Sequence, residues 1–284
     1  MNDKNLDELT SLARETRRLI IETGHTCGAG HTGGSLSEVE ILIALYFSFM
    51  NIDPQHPDWE DRDRFVLSKG HASLGYYTVL AQRGYFPVAQ LKTFDHEDSA
   101  LQAHPDMHKC RGVDFSTGSL GQGLSIGVGI ALGAQKKNKA FRTVVLLGDG
   151  ECQEGQVWEA AMFAGSKHVQ RLIAVVDYNK VQLSHRVEEN LSLEPFAIKW
   201  ESFGWSVLSV DGHNIAELLS ALSRAGSMSE QGPVVIIANT VKGKGVSFME
   251  GKFEWHGKAP NDQEYAAALR ELDTGYSNDS SKSR

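Results

Sequence analysis

The sequence has only three cysteines, Cys27, Cys110 and Cys152, at scattered spacings and with no CxxC pair. An odd, dispersed set provides neither a disulfide framework nor a zinc site, and it implies reduced thiols in a cytoplasmic protein. Long apolar runs are missing too. The longest candidate, residues 41–50, is interrupted by Tyr46 and Ser48 and falls short of the ~20 residues that span a bilayer, so no membrane partner is expected. The N-terminus, MNDKNLDELTSLARE, is charged where a secretory signal would be apolar. Basic residues are outnumbered, 28 Lys and Arg against 36 Asp and Glu, for a net charge of −8. Neutralising phosphates takes clustered cations, so nucleic acid is not an expected partner either. No internal repeat or composition break divides the chain. One domain is expected over residues 1–273, with residues 274–284, TGYSNDSSKSR, as a disordered tail.

Hydrophobic residues make up 41% of the chain, enough for a substantial core. Residues 6–21 carry apolar side chains at helical spacing. A glycine-rich joint follows at 24–34, after which Ser35 or Ser37 is expected to cap a helix running to about Phe49, with Glu38 and Glu40 near its positive end. RFVLS at 64–68 reads as a short strand leading through Lys69-Gly70-His71 into another helix, and polar loops fill 93–115. STGSLGQG at 116–123 opens a helix whose small residues, Gly127, Gly129 and Gly133 among them, allow close packing despite the ~1 kcal/mol cost of each helical glycine. TVVLL (143–147), a helix at 157–164 and LIAVV (172–176) form the clearest βαβ unit. Further strands are expected at 205–210 and 233–238, with a helix at 215–225 between them. This alternation predicts an α/β fold, a three-layer doubly wound, mostly parallel sheet with helices on both faces.

Such sheets bind ligands at the carboxyl ends of their strands. TVVLL ends in Gly148-Asp149-Gly150, and LIAVV ends in Asp177-Tyr178-Asn179. The glycines let the backbone approach a ligand closely. A bare Asp149 would repel a phosphate, whereas a bridging Mg²⁺ converts that repulsion into attraction, since Mg²⁺ commonly takes one or two protein oxygens plus phosphate oxygens. Asp149 and Asn179, at the ends of strands joined by one crossover, are therefore candidate metal ligands, with the carbonyl of Val181 as a third. Taken alone, GDG is as easily a plain strand-to-helix turn, and each histidine is as easily a loop or core residue.

GDG followed about thirty residues later by Asn resembles the signature of the diphosphate-binding domain of thiamine-diphosphate enzymes. LLGDGECQEGQVWEAAMFAG…LIAVVDYNK resembles transketolases in particular. The blocks GHTGGSLSEVEILIALY, DRFVLSKGHAS, AHPD, STGSLGQGLS, VDGHN and TVKGKGVSFME…WHGKAP are similar to transketolase blocks in the same order, over residues 8–270. The resemblance implies the thiamine-diphosphate-binding fold, with thiamine diphosphate as cofactor, and Mg²⁺ (or Ca²⁺ or Mn²⁺ in its place) on Asp149, Asn179 and Val181. It implies that Gly150 and Asn179 contact the diphosphate and that Gly118, Ser119 and Leu120 form a strip along the aminopyrimidine and thiazolium. Ser119 stands where many relatives have proline, so the strip there is less rigid. Glu154 would reach across the contact that forms the cofactor site. His31, His71, His104 and His256 would line the cofactor and the donor sugar, where neutral imidazoles can move protons. His104 and His71 are expected at the reactive centre, and His31 and His256 at sugar hydroxyls. Lys69 and Lys242 would offset diphosphate charge. Thr32, in place of a frequent proline, would retune the donor pocket. His25, His56, His96, His108, His168 and His185 remain unassigned.

The implied reaction moves a two-carbon ketol unit from a ketose to an aldose, both sugar phosphates. The cofactor supplies the carbanion chemistry and the protein orients it. A related synthase of the deoxyxylulose-phosphate type fits less well, because WHGKAP and AHPD favour transketolase. A nicotinamide-binding domain would need GxGxxG after a strand, and Gln153 stands where its third glycine belongs. A non-catalytic homologue is disfavoured by retention of Asp149, Asn179 and the four histidines. In the family a second, pyrimidine-binding domain supplies a glutamate to the cofactor. That domain is expected on a separate C-terminal subunit, in a heterotetramer of two plus two chains, without which this chain is inactive.

Overall fold

TVVLL, LIAVV and VVIIA become neighbouring strands that are apolar on both sides because both sides are covered. The computed structural model describes residues 4–274. Strands β1 (Arg64–Leu67), β2 (Thr143–Gly148), β3 (Leu172–Tyr178), β4 (Ser206–Asp211) and β5 (Val234–Asn239) form one sheet in the order β1-β2-β3-β5-β4, and every pairing is parallel. Successive side chains alternate between two cores. Val144, Leu146, Ile173 and Val175 join one, and Val145, Leu147, Ala174 and Val176 join the other.

The first core is closed by α1 (Leu6–Cys27), α2 (Thr32–Ser37), α3 (Val39–Ala44) and α4 (Ser73–Arg83). The second is closed by α5 (Gln122–Lys136), α6 (Gly155–Ser166), the single turn α7 (Val187–Asn190) and α8 (Phe196–Ser202). Helices α9 (Ile215–Met228) and α10 (Asp262–Thr274) complete the first layer. The expected doubly wound α/β architecture is therefore present, with no antiparallel pairing between the named strands.

Several boundaries differ from expectation. Helix α1 runs six residues beyond Ile21, through the first part of the glycine-rich joint, and stops where Gly28 turns left-handed at φ 64°. The single helix expected from Ser35 or Ser37 to Phe49 is broken into α2, α3 and a π-turn at Leu45–Phe49. Neither serine caps it. Ser37 lies at the end of α2 and sends its hydroxyl to the Gly34 carbonyl at 2.9 Å and to Asp177 at 2.6 Å. Helix α10 has no counterpart in the sequence reading, because only Ala268 and Leu272 on it are buried. The disordered tail expected from Thr274 lies, apart from Thr274 itself, outside the described residues. Close packing of α5 is confined to one side. A Cβ on Gly127 would collide with Val145, whereas Gly129 and Gly133 face open space.

Candidate functional site

Strand register builds the site. Gly148 pairs with Asp177 across β2 and β3, so Asp149 and Asn179 leave the sheet side by side. Asp149 is 2% exposed. Its carboxylate accepts from the Gly150 amide at 2.7 Å and from the Lys180 amide. Asn179 donates through Nδ2 to Asp177 Oδ2 at 3.1 Å and accepts through Oδ1 from the Val181 amide at 3.1 Å. The Val181 carbonyl accepts from Lys242 Nζ at 3.1 Å. Asp149, Asn179 and Val181 line one cavity of about 240 Å³, which Leu120, Gly150, Gln182 and His256 help to enclose.

The chemistry of this cavity suits a cation and an anion together. Burial, and then the charge of Asp177, push the Asp149 carboxyl up to about 7, so its ionised form needs a nearby positive charge. A carboxylate, an amide oxygen and a carbonyl oxygen are hard donors of the kind Mg²⁺ accepts. Among the described residues no group of three His, Cys, Asp or Glu side chains could hold a metal, so any site here depends on the amide and the carbonyl. Gln182 Oε1 is buried without a hydrogen-bond partner. A Cβ on Gly150 would stand 3.0 Å from Gln182 Cβ, which keeps the cradle bare backbone at that point.

The two lysines do different things. Lys69 lines the cavity, and its ammonium meets Asp177 Oδ2 at 2.6 Å, Glu38 Oε2 at 2.7 Å and the Gly34 carbonyl at 3.3 Å. These contacts make it a buried countercharge to Asp177 and Glu38 at the cavity wall. Burial pushes Glu38 up to about 8 despite Lys69, which Asp177 shares. Lys242 lies in the cavity wall, held down to about 8 by burial and by Lys69. Its ammonium donates to His256 Nδ1 at 2.7 Å. A lysine ammonium has no acceptor, so Nδ1 accepts and the ring N–H of neutral His256 is at Nε2.

Three of the four assigned histidines meet. Ring centroids are 5.0 Å apart for His31 and His71, 5.4 Å for His31 and His256, and 4.9 Å for His71 and His256. Burial and the neighbouring lysines lower His71 to about 2 and His256 to about 3, and burial with His104 lowers His31. All three are neutral near pH 7. His104 is exposed and stands across from the strip, where a Cβ on Gly118 would come within 3.0 Å of its ring. Ser119, Leu120 and Glu154 are exposed. Thr32 is buried, and its hydroxyl donates to the Lys258 carbonyl at 2.9 Å. It therefore ties down the loop that carries His256.

Several residues around the site escaped the sequence reading. Asp177 gathers Ser37, Lys69, Asn179 and Thr240 on one buried carboxylate. A charge ending an apolar strand was its only signal. Glu151 is buried beside GDG, within hydrogen-bond distance of Ser68, Gly121 and Gly148. His213 accepts from the Val241 amide at 2.8 Å through Nε2 and meets Glu40 at 2.9 Å through Nδ1, bracing the segment that carries Lys242. Of the unassigned histidines, His25 pairs with Asp262 at 2.8 Å and His56 with Asp53 at 2.8 Å, both away from the cavity.

The family model for the transketolase thiamine diphosphate binding domain matches residues 9–281. The chain belongs to the transketolase family. It is 45% identical over 273 residues to a 6-deoxy-6-sulfo-D-fructose transketolase subunit of Clostridium sp. (strain MSTE9), covering 96% of this chain and 98% of that one. It is 43% identical to an apulose-4-phosphate transketolase subunit of Actinobacillus succinogenes, covering 96% and 99%. The crystal structure of Campylobacter jejuni transketolase superposes with a TM-score of 0.89 at 30% identity. That match covers 95% of this chain and 43% of the larger one. The transketolase chain described here is accordingly an α/β subunit for ketol transfer that corresponds to the N-terminal, thiamine-diphosphate-binding part of the longer enzymes. Among the described residues no helix is long and apolar enough to cross a membrane.

Proposed function

We propose that this chain holds thiamine diphosphate through a divalent cation, Mg²⁺ by preference with Ca²⁺ or Mn²⁺ as substitutes, and transfers ketol units only when joined to a second, pyrimidine-binding subunit. The observation that carries this reading is the convergence of Asp149, Asn179 and the Val181 carbonyl on one cavity beside three neutral histidines. Those oxygens would hold the cation, while Gly150 and Lys242 would meet the diphosphate. The bound cofactor would supply the carbanion on which a two-carbon unit is carried. Neutral His31 and His71 can each accept or donate a hydrogen bond at a sugar hydroxyl without adding charge to the site. His256 presents its Nε2–H there, because Lys242 occupies Nδ1. His104, exposed beside Gly118, would contact the donor sugar.

The partner reading draws on the relatives named as subunits and on an apolar face beside the strip. Met162 is 53% and Phe163 45% exposed on α6, and Leu120 is exposed where the strip enters α5. Large apolar side chains grouped on a surface mark an interface more often than isolated ones do. Glu154, exposed at the start of α6, is positioned to reach a partner, and two plus two chains would give two cofactor sites. The donor is proposed to be a ketose carrying a terminal anion, phosphate or sulfonate, in keeping with the two relatives' names. A reduced intracellular setting suits the free cysteines. A screen of phosphorylated, sulfonated and unmodified ketoses with aldose acceptors, using the assembled enzyme, tests this. Equal turnover of unmodified ketoses would refute the anion requirement.

A further inference from the structure

Glu151 is absent from the roles assigned above, yet its buried carboxylate joins three separate parts of the site. Oε1 accepts from the Ser68 hydroxyl and from the Gly121 amide at 2.9 Å, and Oε2 accepts from the Gly148 amide at 3.0 Å. Ser68 follows β1, Gly148 closes β2, and Gly121 ends the strip that begins at Gly118. Hydrogen bonds to an ionised acceptor are about twice as strong as neutral ones.

The three attachments differ in what else supports them. Gly148 sits in the ladder between β2 and β3, paired with Asp177, and would stay in place without Glu151. The strip has no ladder. Ser119 and Leu120 are exposed, and Ser119 has no ring to fix its backbone. Its position is therefore set at its ends. At one end Gly118 packs under His104 and against Gly70, where a Cβ on Gly70 would stand 2.8 Å from the Gly118 nitrogen. At the other end Gly121 adopts a left-handed φ of 83°, and its amide meets Glu151.

We infer that Glu151 is a positioning residue that sets the strip over the cavity and so lets the site distinguish thiamine diphosphate from bare diphosphate. This inference rests on the cofactor reading given above. If it holds, Glu151 governs recognition of the organic part of the ligand, while the oxygens of Asp149, Asn179 and Val181 govern the diphosphate end.

Calorimetric titration of the full chain, with its partner present and Mg²⁺ in excess, compares thiamine diphosphate with inorganic diphosphate. Glu151→Met keeps the bulk and removes both acceptor oxygens. It is expected to lower the affinity ratio of the two ligands by about tenfold or more, with diphosphate affinity changed by less than about threefold. Glu151→Gln keeps one oxygen for Gly121 and Ser68 and should restore most of the ratio. Equal loss for both ligands, or no loss, would overturn the inference by making Glu151 a general structural residue or an idle one. A wild-type chain that binds both ligands equally would instead overturn the cofactor reading. Should the Met variant fail to fold, amide hydrogen exchange on the wild type decides. Strong protection at Gly121 is expected, and exchange at the rate of an open peptide would contradict the bond to Glu151.

Discussion

Lys69 and Asp177 form a buried ion pair of 2.6 Å, with Lys69 in the lining of the cavity. Removing one member of a buried pair leaves the other charge uncompensated, at a typical cost of about 3–5 kcal/mol. Lys69→Met is therefore expected to lower unfolding free energy by about that much in urea. A variant of unchanged stability whose diphosphate affinity alone had fallen would return Lys69 to the role of a direct ligand.

Asp149 tests the metal assignment. With Asp149→Ala the site loses its only charged candidate ligand, and thiamine diphosphate affinity in Mg²⁺ should drop by on the order of 100-fold. The measurement is calorimetry with Mg²⁺ and with chelator. In chelator the order should level or reverse, with the variant binding at least as well as the wild type, because without the bridge the Asp149 charge only repels the diphosphate. Unchanged affinity of the variant in Mg²⁺ would rule Asp149 out as a ligand.

Glu38 gives a pH signature. Its folded carboxyl titrates at about 8 against an ordinary 4.5, so between those values the native chain holds a proton that the unfolded chain has released. The unfolded state then binds fewer protons, and stability falls as pH rises through that window. Glu38→Gln cannot release the proton and should flatten this part of the stability profile. Urea unfolding at pH 5, 6, 7 and 8 measures it. Equal slopes for variant and wild type would show that Glu38 is already ionised in the native state.

His104 differs from the three clustered histidines in being exposed and facing Gly118. His104→Ala in the assembled enzyme should reduce kcat/KM for ketol transfer by on the order of 100-fold, with little change in cofactor affinity. The reverse pattern, normal turnover with weak cofactor binding, would place it at the diphosphate end.

The parts of this fold that were legible in the sequence are those encoded within short windows. Apolar runs at 143–147, 172–176 and 233–238 read as strands covered on both faces, and the residues ending two of them then share one sheet edge. That placed Asp149 beside Asn179. The wiring at the cavity wall was not legible, because its partners are distant in the chain. Lys69 takes one carboxylate from α2's C-terminal boundary, Glu38, and another from the end of β3, Asp177. Nothing local distinguishes such a lysine from one that faces a ligand. Ser37 looked like a helix cap for the same reason. Its hydroxyl had a better acceptor in Asp177, 140 residues away. Helix α10 stayed hidden because two buried residues make too thin a stripe to register as amphipathic.

The central claim, that this transketolase chain carries the diphosphate half of a site completed by another subunit, is tested most directly by reconstitution. Ketol transfer is assayed with thiamine diphosphate and Mg²⁺ for this chain alone, for a separately purified chain carrying the pyrimidine-binding domain, and for the two mixed. The expected result is activity only in the mixture, saturating at equal amounts of the two chains. Full activity from this chain by itself would contradict the claim.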